Sequence, residues 1–165
     1  MKLLAALISC VVLASCAVHY STSGGSVPAG AKTISVDLLD ARAPLCTPQT
    51  AQSITEEMRD LLQSQTPLTM IRTDGDIAYT GAIAGYDVQP VAIQANETAA
   101  LNRLTITVSL HYANKLEPKA DADLSVSRFA DYPSDQDLSS VEDGLVREIG
   151  KQLAQDIFDR TLGNW

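Results

Sequence analysis

The sequence predicts an α+β two-layer sandwich, with two helices packed on one face of a mixed four- to five-stranded sheet. Three observations carry that expectation. Leu104, Ile106, Val108, Leu110 and Tyr112 alternate with Thr105, Thr107, Ser109 and His111, the period of a strand with one face on a core and one on water or a partner. Two stretches, residues 51–62 and 141–157, repeat apolar residues at helical spacing. The elements run β-α-β-β-β-β-α, an order for which two helices covering one sheet face is the economical packing. At 165 residues the chain makes one domain, which buries roughly 70% of its unfolded surface.

The elements follow in order. Within residues 32–39, Ile34, Val36 and Leu38 share one face at period two, a strand. Thr47-Pro48 is a helix start, threonine as N-cap and proline at the first helical position. Ala51, Ile54, Met58, Leu61 and Leu62 form the apolar stripe of that helix, and Thr66-Pro67 ends it. Leu68–Arg72 is a short strand. Thr73-Asp74-Gly75-Asp76 carries the Asp-Gly hairpin signal, so Ile77–Val88 is expected to return beside it. Residues 89–100 read as a polar loop before the alternating strand. Lys115–Lys119, with Pro118, is a turn, and Ala122–Tyr132 is a further strand with Leu124, Val126 and Ala130 in phase. Ser139-Ser140-Val141-Glu142 is a capping box. It opens a helix with Val141, Leu145, Ile149, Leu153 and Ile157 inward and i,i+4 pairs Asp143/Arg147 and Asp156/Arg160 outward.

Ahead of this body, Lys2 and the apolar run 3–14 form the first two regions of a secretory signal, too short to span a bilayer. Leu13-Ala14-Ser15-Cys16 matches a bacterial lipobox, in which the cysteine is lipidated and becomes the first residue. Leu7-Ile8-Ser9-Cys10 fits the same pattern, but cleavage there shortens the apolar region and strands Val11-Val12-Leu13. Ser15-Cys16-Ala17 is a poor match to an ordinary cleavage site. The expected organisation is a signal peptide at 1–15, a lipidated Cys16 with a flexible Gly/Ser-rich tether at 16–30, and a folded domain at 31–165. The tether reaches about 20 Å. Ala17-Val18, rather than aspartate, follows Cys16, which points to the periplasmic side of the outer membrane. Of three cysteines, only Cys46 then keeps a free thiol, expected as a buried small apolar residue.

Composition and motif content exclude several classes of function. Twenty acidic against twelve basic residues give a net charge of −8, unsuited to sequence-independent binding of nucleic acid. Of two histidines, His19 lies in the tether and His111 on the polar side of a strand. Neither stands in a metal-ligand spacing, and no nucleophile elbow, P-loop or zinc-protease motif occurs. Asp74/Asp76 read as a turn and Asp121/Asp123 as the start of a strand. Asp131, Asp135 and Asp137 lack the glycine and closing glutamate of a calcium loop. Trp165 follows a helix and reads as packing or tail. No enzyme, metal site or cofactor is expected; the one prosthetic group is the covalent lipid on Cys16.

Several blocks together resemble a known family. They are the lipobox cysteine and short tether, Ala31-Lys32-Thr33-Ile34-Ser35-Val36, and the Pro-started helix running into Leu68-Thr69-Met70-Ile71. Asp74-Gly75-Asp76-Ile77-Ala78-Tyr79-Thr80-Gly81 follows, then Gly85-Tyr86. The most particular blocks are residues 89–108 (QPVAIQANETAALNRLTITV), Phe129-Ala130-Asp131-Tyr132 and Leu138–Glu142. This resembles the LPS-assembly lipoprotein LptE (RlpB) family, in the form found in Bacteroidota-like bacteria. The resemblance implies a two-helix, four-stranded α+β domain that plugs the outer-membrane β-barrel LptD, supports its folding, and assists placement of lipopolysaccharide in the outer leaflet. It implies no catalysis.

Under that implication, Arg103, Lys115, Lys119 and Arg128 are candidate lipopolysaccharide contacts, because antiparallel pairing of the last two strands could gather them for its phosphates. Candidate partner contacts are Gln94, Asn96, Glu97 and Asn102 in the long segment 89–103, with Thr105 and Thr107 on the polar strand face, since a barrel lumen is polar. Two other readings stay open: an auxiliary lipoprotein of an ABC-type lipid transporter, and a structural envelope or secretin-assembly lipoprotein.

Overall fold

The structure, a computed structural model, describes residues 27–91 and 100–163. Eight elements follow one another: β1 (Thr33–Val36), β2 (Asp40–Ala41), α1 (Pro48–Gln65), β3 (Thr69–Ile71), β4 (Ile77–Val91), β5 (Leu101–Asn114), β6 (Ala122–Pro133) and α2 (Leu138–Thr161). A single mixed sheet runs in the order β3-β1-β4-β5-β6, with β2 continuing the β1 lane along β4. Both helices cover one face of it. The α+β two-layer expectation is met, with six short and long strands in five lanes.

Helix α1 begins and ends where its sequence signals stand. The Thr47 Oγ1 accepts from the Thr50 N–H at 3.1 Å, and the Thr66 N–H closes the last turn on the Leu62 carbonyl at 3.1 Å. Ala51, Ile54, Met58 and Leu62 are buried against the sheet. Helix α2 turns Leu145, Ile149, Leu153 and Ile157 inward. Between the layers stand Ile34, Ile77, Tyr79, Leu104, Ile106 and Val108, all fully buried. The Tyr79 and Tyr112 rings meet at 5.4 Å, and the Tyr79 hydroxyl hydrogen-bonds Thr161 Oγ1 at 2.7 Å. Burial holds the Tyr79 phenol well above its ordinary pKa.

The Asp-Gly signal does not make a hairpin. Strands β3 and β4 both run parallel to β1 and lie on either side of it: Ser35 pairs with Ile71 on one side and with Ala78 on the other. The intervening chain crosses over β1 on the face opposite the helices. There the Gly75 N–H donates to the buried Ser35 Oγ at 3.1 Å. A Cβ on Gly75 would lie 2.7 Å from both the Ser35 nitrogen and the Ile77 oxygen. Glycine is required by that close approach, and Gly75 has no positive φ; Asp74 has one, at 64°. Beside it, the Asp76 carboxylate accepts from the Lys32 and Thr33 N–H groups at 2.9 and 3.0 Å, capping the start of β1. Those bonds hold its pKa below the usual aspartate range.

Other expectations are corrected at strand and helix ends. Strand β1 stops at Val36, whose carbonyl is taken by Arg59 of α1 at 2.6 Å. The chain then breaks phase: Leu38 is 58% exposed, whereas Leu39 is 2% exposed, its N–H bonded to Thr55 Oγ1 at 3.1 Å. Gln89–Val91 and Leu101–Arg103 belong to β4 and β5 rather than to a loop, because the two strands pair all the way from Ile77↔Asn114 to Val91↔Leu101. The register slips once, at Ile83/Gly85, where Ala84 stands as a bulge.

The capping box is not formed. Helix α2 starts earlier, with Asp137 as N-cap and no side-chain cap bond, and Glu142 instead accepts the Tyr86 hydroxyl at 2.6 Å. The Asp156/Arg160 pair is replaced by longer-range contacts, Arg128 to Asp156 and Arg160 to the Ser125 carbonyl. Val27–Gly30, read as the end of the tether, form a turn with Val27 packed against the core edge. The signal peptide, Cys16, His19 and Trp165 lie outside the described residues.

Candidate functional site

The face of β4–β5–β6 turned away from the helices is open, and its composition follows from the alternation that buries the other face. Even-numbered β5 residues from Leu104 to Tyr112 point into the core; the odd-numbered ones point out. Antiparallel register then sets each outward β5 side chain opposite one on β6: Arg103↔Asp131, Thr105↔Phe129, Thr107↔Ser127, Ser109↔Ser125 and His111↔Asp123.

Three of these rungs are bonded. Arg103 grips Asp131 with two bonds, Nε to Oδ1 at 2.7 Å and Nη2 to Oδ2 at 2.8 Å, and its guanidinium carbon sits 3.7 Å above the Phe129 ring. Thr107 Oγ1 donates to Ser127 Oγ at 3.0 Å. His111 Nδ1 and Asp123 Oδ1 are 2.8 Å apart. The Arg103 pair lowers the Asp131 pKa from the ordinary aspartate value. On the β4 side the rungs continue into Gln89, Asp87, Gly85, Ala82 and Thr80, with Gln89 donating to Asp87 at 2.7 Å. The lower half is hollowed by small side chains into a shallow cleft of about 620 Å³. It is bordered by Asp37, Leu38, Arg42, Ser109, His111 and Ser125.

The four candidate cations are not brought together. Strands β5 and β6 do pair antiparallel, yet Arg103 lies on the open face whereas Arg128, in phase with Val126 and Ala130, lies on the helix face and binds Asp156 at 2.6 Å. Lys115 stands past the far end of β5, donating to the Asp74 carboxylate at 2.6 Å and to the Asp74 carbonyl at 2.7 Å. Lys119 sits in the 3₁₀ turn Pro118–Ala120. Twelve residues of strand, about 40 Å, separate that end from Arg103. Faces and strand length together prevent a single basic cluster.

Of the partner candidates, Thr105 and Thr107 are on the open face, and Asn102 is in β5 opposite Tyr132. Gln94, Asn96 and Glu97 lie outside the described residues. Sequence reasoning missed Asp131, Phe129, Ser127 and Asp123, which complete the rungs. Their period-two spacing was visible, but the β5/β6 register that pairs them with β5 depends on the geometry of the turn.

Elsewhere, Cys46 is partly buried beside α1, its thiol pushed up by desolvation and by Glu142. Among the described residues no three His, Cys, Asp or Glu side chains are placed to hold a metal ion. No described helix is long and apolar enough to cross a membrane.

A helical layer packed behind an open, ion-paired sheet face defines a small two-layer α+β domain with an exposed polar sheet surface. A family model for lipopolysaccharide assembly, LptE, matches residues 31–161, so the chain belongs to the LptE family. No curated protein matches it. Among solved structures it is similar to uncharacterized lipoprotein B from Nitrosomonas europaea, at 11% identity and a TM-score of 0.51, covering 84% of this chain and 86% of that one. The minor lipoprotein from Acinetobacter baumannii is 16% identical, with a TM-score of 0.49, over 78% of this chain and 91% of that one. The rare lipoprotein B from Shewanella oneidensis is 15% identical, with a TM-score of 0.48, over 74% and 89%. The Nitrosomonas likeness shows a shared fold.

Proposed function

We propose that this chain is an outer-membrane lipoprotein, anchored on the periplasmic side through a lipid on Cys16, that occupies the lumen of the β-barrel LptD and assists lipopolysaccharide assembly in the outer leaflet. The observation that carries the reading is the extent of the family match, residues 31–161, which takes in every strand and helix from β1 to α2. The open face supports it physically. A barrel lumen is lined by polar side chains, and the Arg103–Asp131, Thr107–Ser127 and His111–Asp123 rungs offer polar groups bonded to each other within the domain, so that contact there strips no lone ion of its water. The chain itself catalyses no covalent step; its role is to fill, brace and present.

Extraction of the natively lipidated protein in mild detergent, with identification of whatever co-purifies stoichiometrically, tests the reading. A single large outer-membrane barrel is the expected partner, and an inner-membrane permease or no partner would overturn it. Replacing Cys16 with serine should abolish both the acyl mass increment and membrane retention. Because Arg103 and Arg128 occupy opposite faces, they test a lipopolysaccharide contact separately. Binding through the open face is weakened by Arg103→Gln and left unchanged by Arg128→Gln.

A further inference from the structure

The open face is closed on itself in its upper rungs and left open in the cleft below them. Arg103 and Asp131 satisfy one another, as do Thr107 and Ser127. In the cleft, the side chains of Asp37, Thr80, Ser109 and Ser125 form no hydrogen bond among the described residues. Two rows of side chains cross the strands there. Asp37, Thr80, His111 and Asp123 make the first. Asp37 continues the β1 lane with its N–H on the Tyr79 carbonyl at 2.9 Å, and the other three are register partners. Ala82, Ser109 and Ser125 make the second, with Asp40 at its β2 end. Its side chains are small, so it forms the floor.

Charge is spread unevenly over this cleft. Arg42 is held by Asp40 at 3.1 Å. His111 lies with Nδ1 2.8 Å from Asp123, and a neutral imidazole donates there without cancelling the charge. Asp37 and Asp123 therefore keep two negative charges that no arginine or lysine among the described residues answers. They stand at opposite ends of one row, three strand spacings or about 14 Å apart. No single small cation spans that gap, whereas four residues of extended chain cover about 14 Å. Leu38, 58% exposed, borders the Asp37 end, an apolar lip for the methylene stem of a basic side chain.

We infer that the cleft docks an extended segment of the partner barrel laid along this row, with two basic residues four positions apart and a small residue midway. One basic side chain meets Asp37 and the other Asp123. The inference rests on the barrel reading above and adds the chemistry by which the barrel is held. Even spacing keeps the three side chains on one face of an extended chain. The hydroxyls of Thr80, Ser109 and Ser125 meet its peptide groups over the small floor. A neutral segment would bury two carboxylates without partners, and an acidic one would add repulsion. An alkyl polyamine matches the charges but turns methylenes to the three hydroxyls.

A photoreactive amino acid in place of Ser109, in the full lipidated chain in intact cells, reads the occupant of the cleft. The same replacement at Thr105, above the cleft, reads the barrel. Expected at Ser109 is an adduct with a barrel peptide of the pattern basic-x-small-x-basic. Its yield should fall about tenfold when Asp37→Asn and Asp123→Asn are combined, the scale of two ion pairs at an exposed rim, while the Thr105 adduct persists. A barrel peptide lacking that pattern, a yield indifferent to the two substitutions, an adduct with lipopolysaccharide, or no adduct at Ser109 overturns the inference. Capture of the barrel at Thr105 then leaves the barrel reading standing. Absence of the barrel at both positions overturns that reading and this inference with it. Should the double variant fail to fold, the sequence of the peptide captured at Ser109 decides alone.

Discussion

Gly75→Ala separates the two ways in which an Asp-Gly pair can serve a chain. The backbone at Gly75 does not have a positive φ. In an open turn, replacement by alanine would therefore stabilise the protein by about 0.4–1 kcal/mol, through lost freedom in the unfolded chain. Here the added Cβ would sit 2.7 Å from the Ser35 nitrogen and the Ile77 oxygen and 2.9 Å from the Ile34 carbonyl carbon. All three are backbone atoms, which cannot swing aside as a side chain would. Relief requires the crossing segment to lift by roughly 0.7 Å, a strain typical of overpacked cores at about 1–3 kcal/mol. The lift also draws the Gly75 N–H away from Ser35 Oγ, a buried hydroxyl with no exposed surface, at about 1 kcal/mol more. The expected loss is about 2–4 kcal/mol. Urea denaturation of the variant, followed by circular dichroism, should show a lower midpoint with an unchanged slope. A neutral or raised midpoint would refute the crossing geometry and restore the hairpin.

Four further outcomes are expected. Thr47→Ala, which removes the side-chain bond to the Thr50 N–H, should lower stability by about 1 kcal/mol. Asp137→Ala, at an N-cap without such a bond, should stay within about 0.5 kcal/mol; equal losses in urea titrations would contradict the assignment. Tyr86→Phe deprives Glu142 of its donor and should cost about 1–2 kcal/mol by the same assay. The pKa values of Asp76 and Asp131 are lowered in the folded state. Between those values and the ordinary aspartate value the unfolded chain binds more protons, so stability rises with pH across that window. The stability they contribute is complete above the ordinary value and lost as pH falls through the folded values. Midpoints measured from about pH 5 to about pH 2 should flatten in Asp76→Asn, and an unaltered acid limb would contradict the cap on β1.

Local chemistry made much of this protein legible. The limits of α1 follow from Thr47-Pro48 and Thr66-Pro67, residues whose backbone preferences act within a few positions and need no distant partner. The buried side of β5 follows from strict alternation, and the apolar stripe of α2 from its spacing. The match of residues 89–108 and 129–142 to a family pattern carried the functional expectation. The failures fall where one segment answers to another far along the chain. Asp74-Gly75 has the composition of a hairpin turn, yet β1, forty residues earlier, lies between the two strands it joins. Glu142 has the spacing of a capping box, yet Tyr86 holds it from across the core.

For the candidate site the division is sharper. From the sequence alone came an amphipathic strand, an outward row of Thr105, Thr107, Ser109 and His111, and a list of cations on or between two neighbouring strands. Periodicity states which residues share a face within one element, because side-chain direction repeats with the backbone. It cannot state register between elements, which is settled by turn geometry and by packing across the core. Only the tertiary structure set Arg103 opposite Asp131 and over Phe129, and placed Arg128 on the other face against Asp156. It alone brought Arg160 to the Ser125 carbonyl of β6. Those contacts join residues twenty-six or more positions apart, beyond the reach of any local pattern.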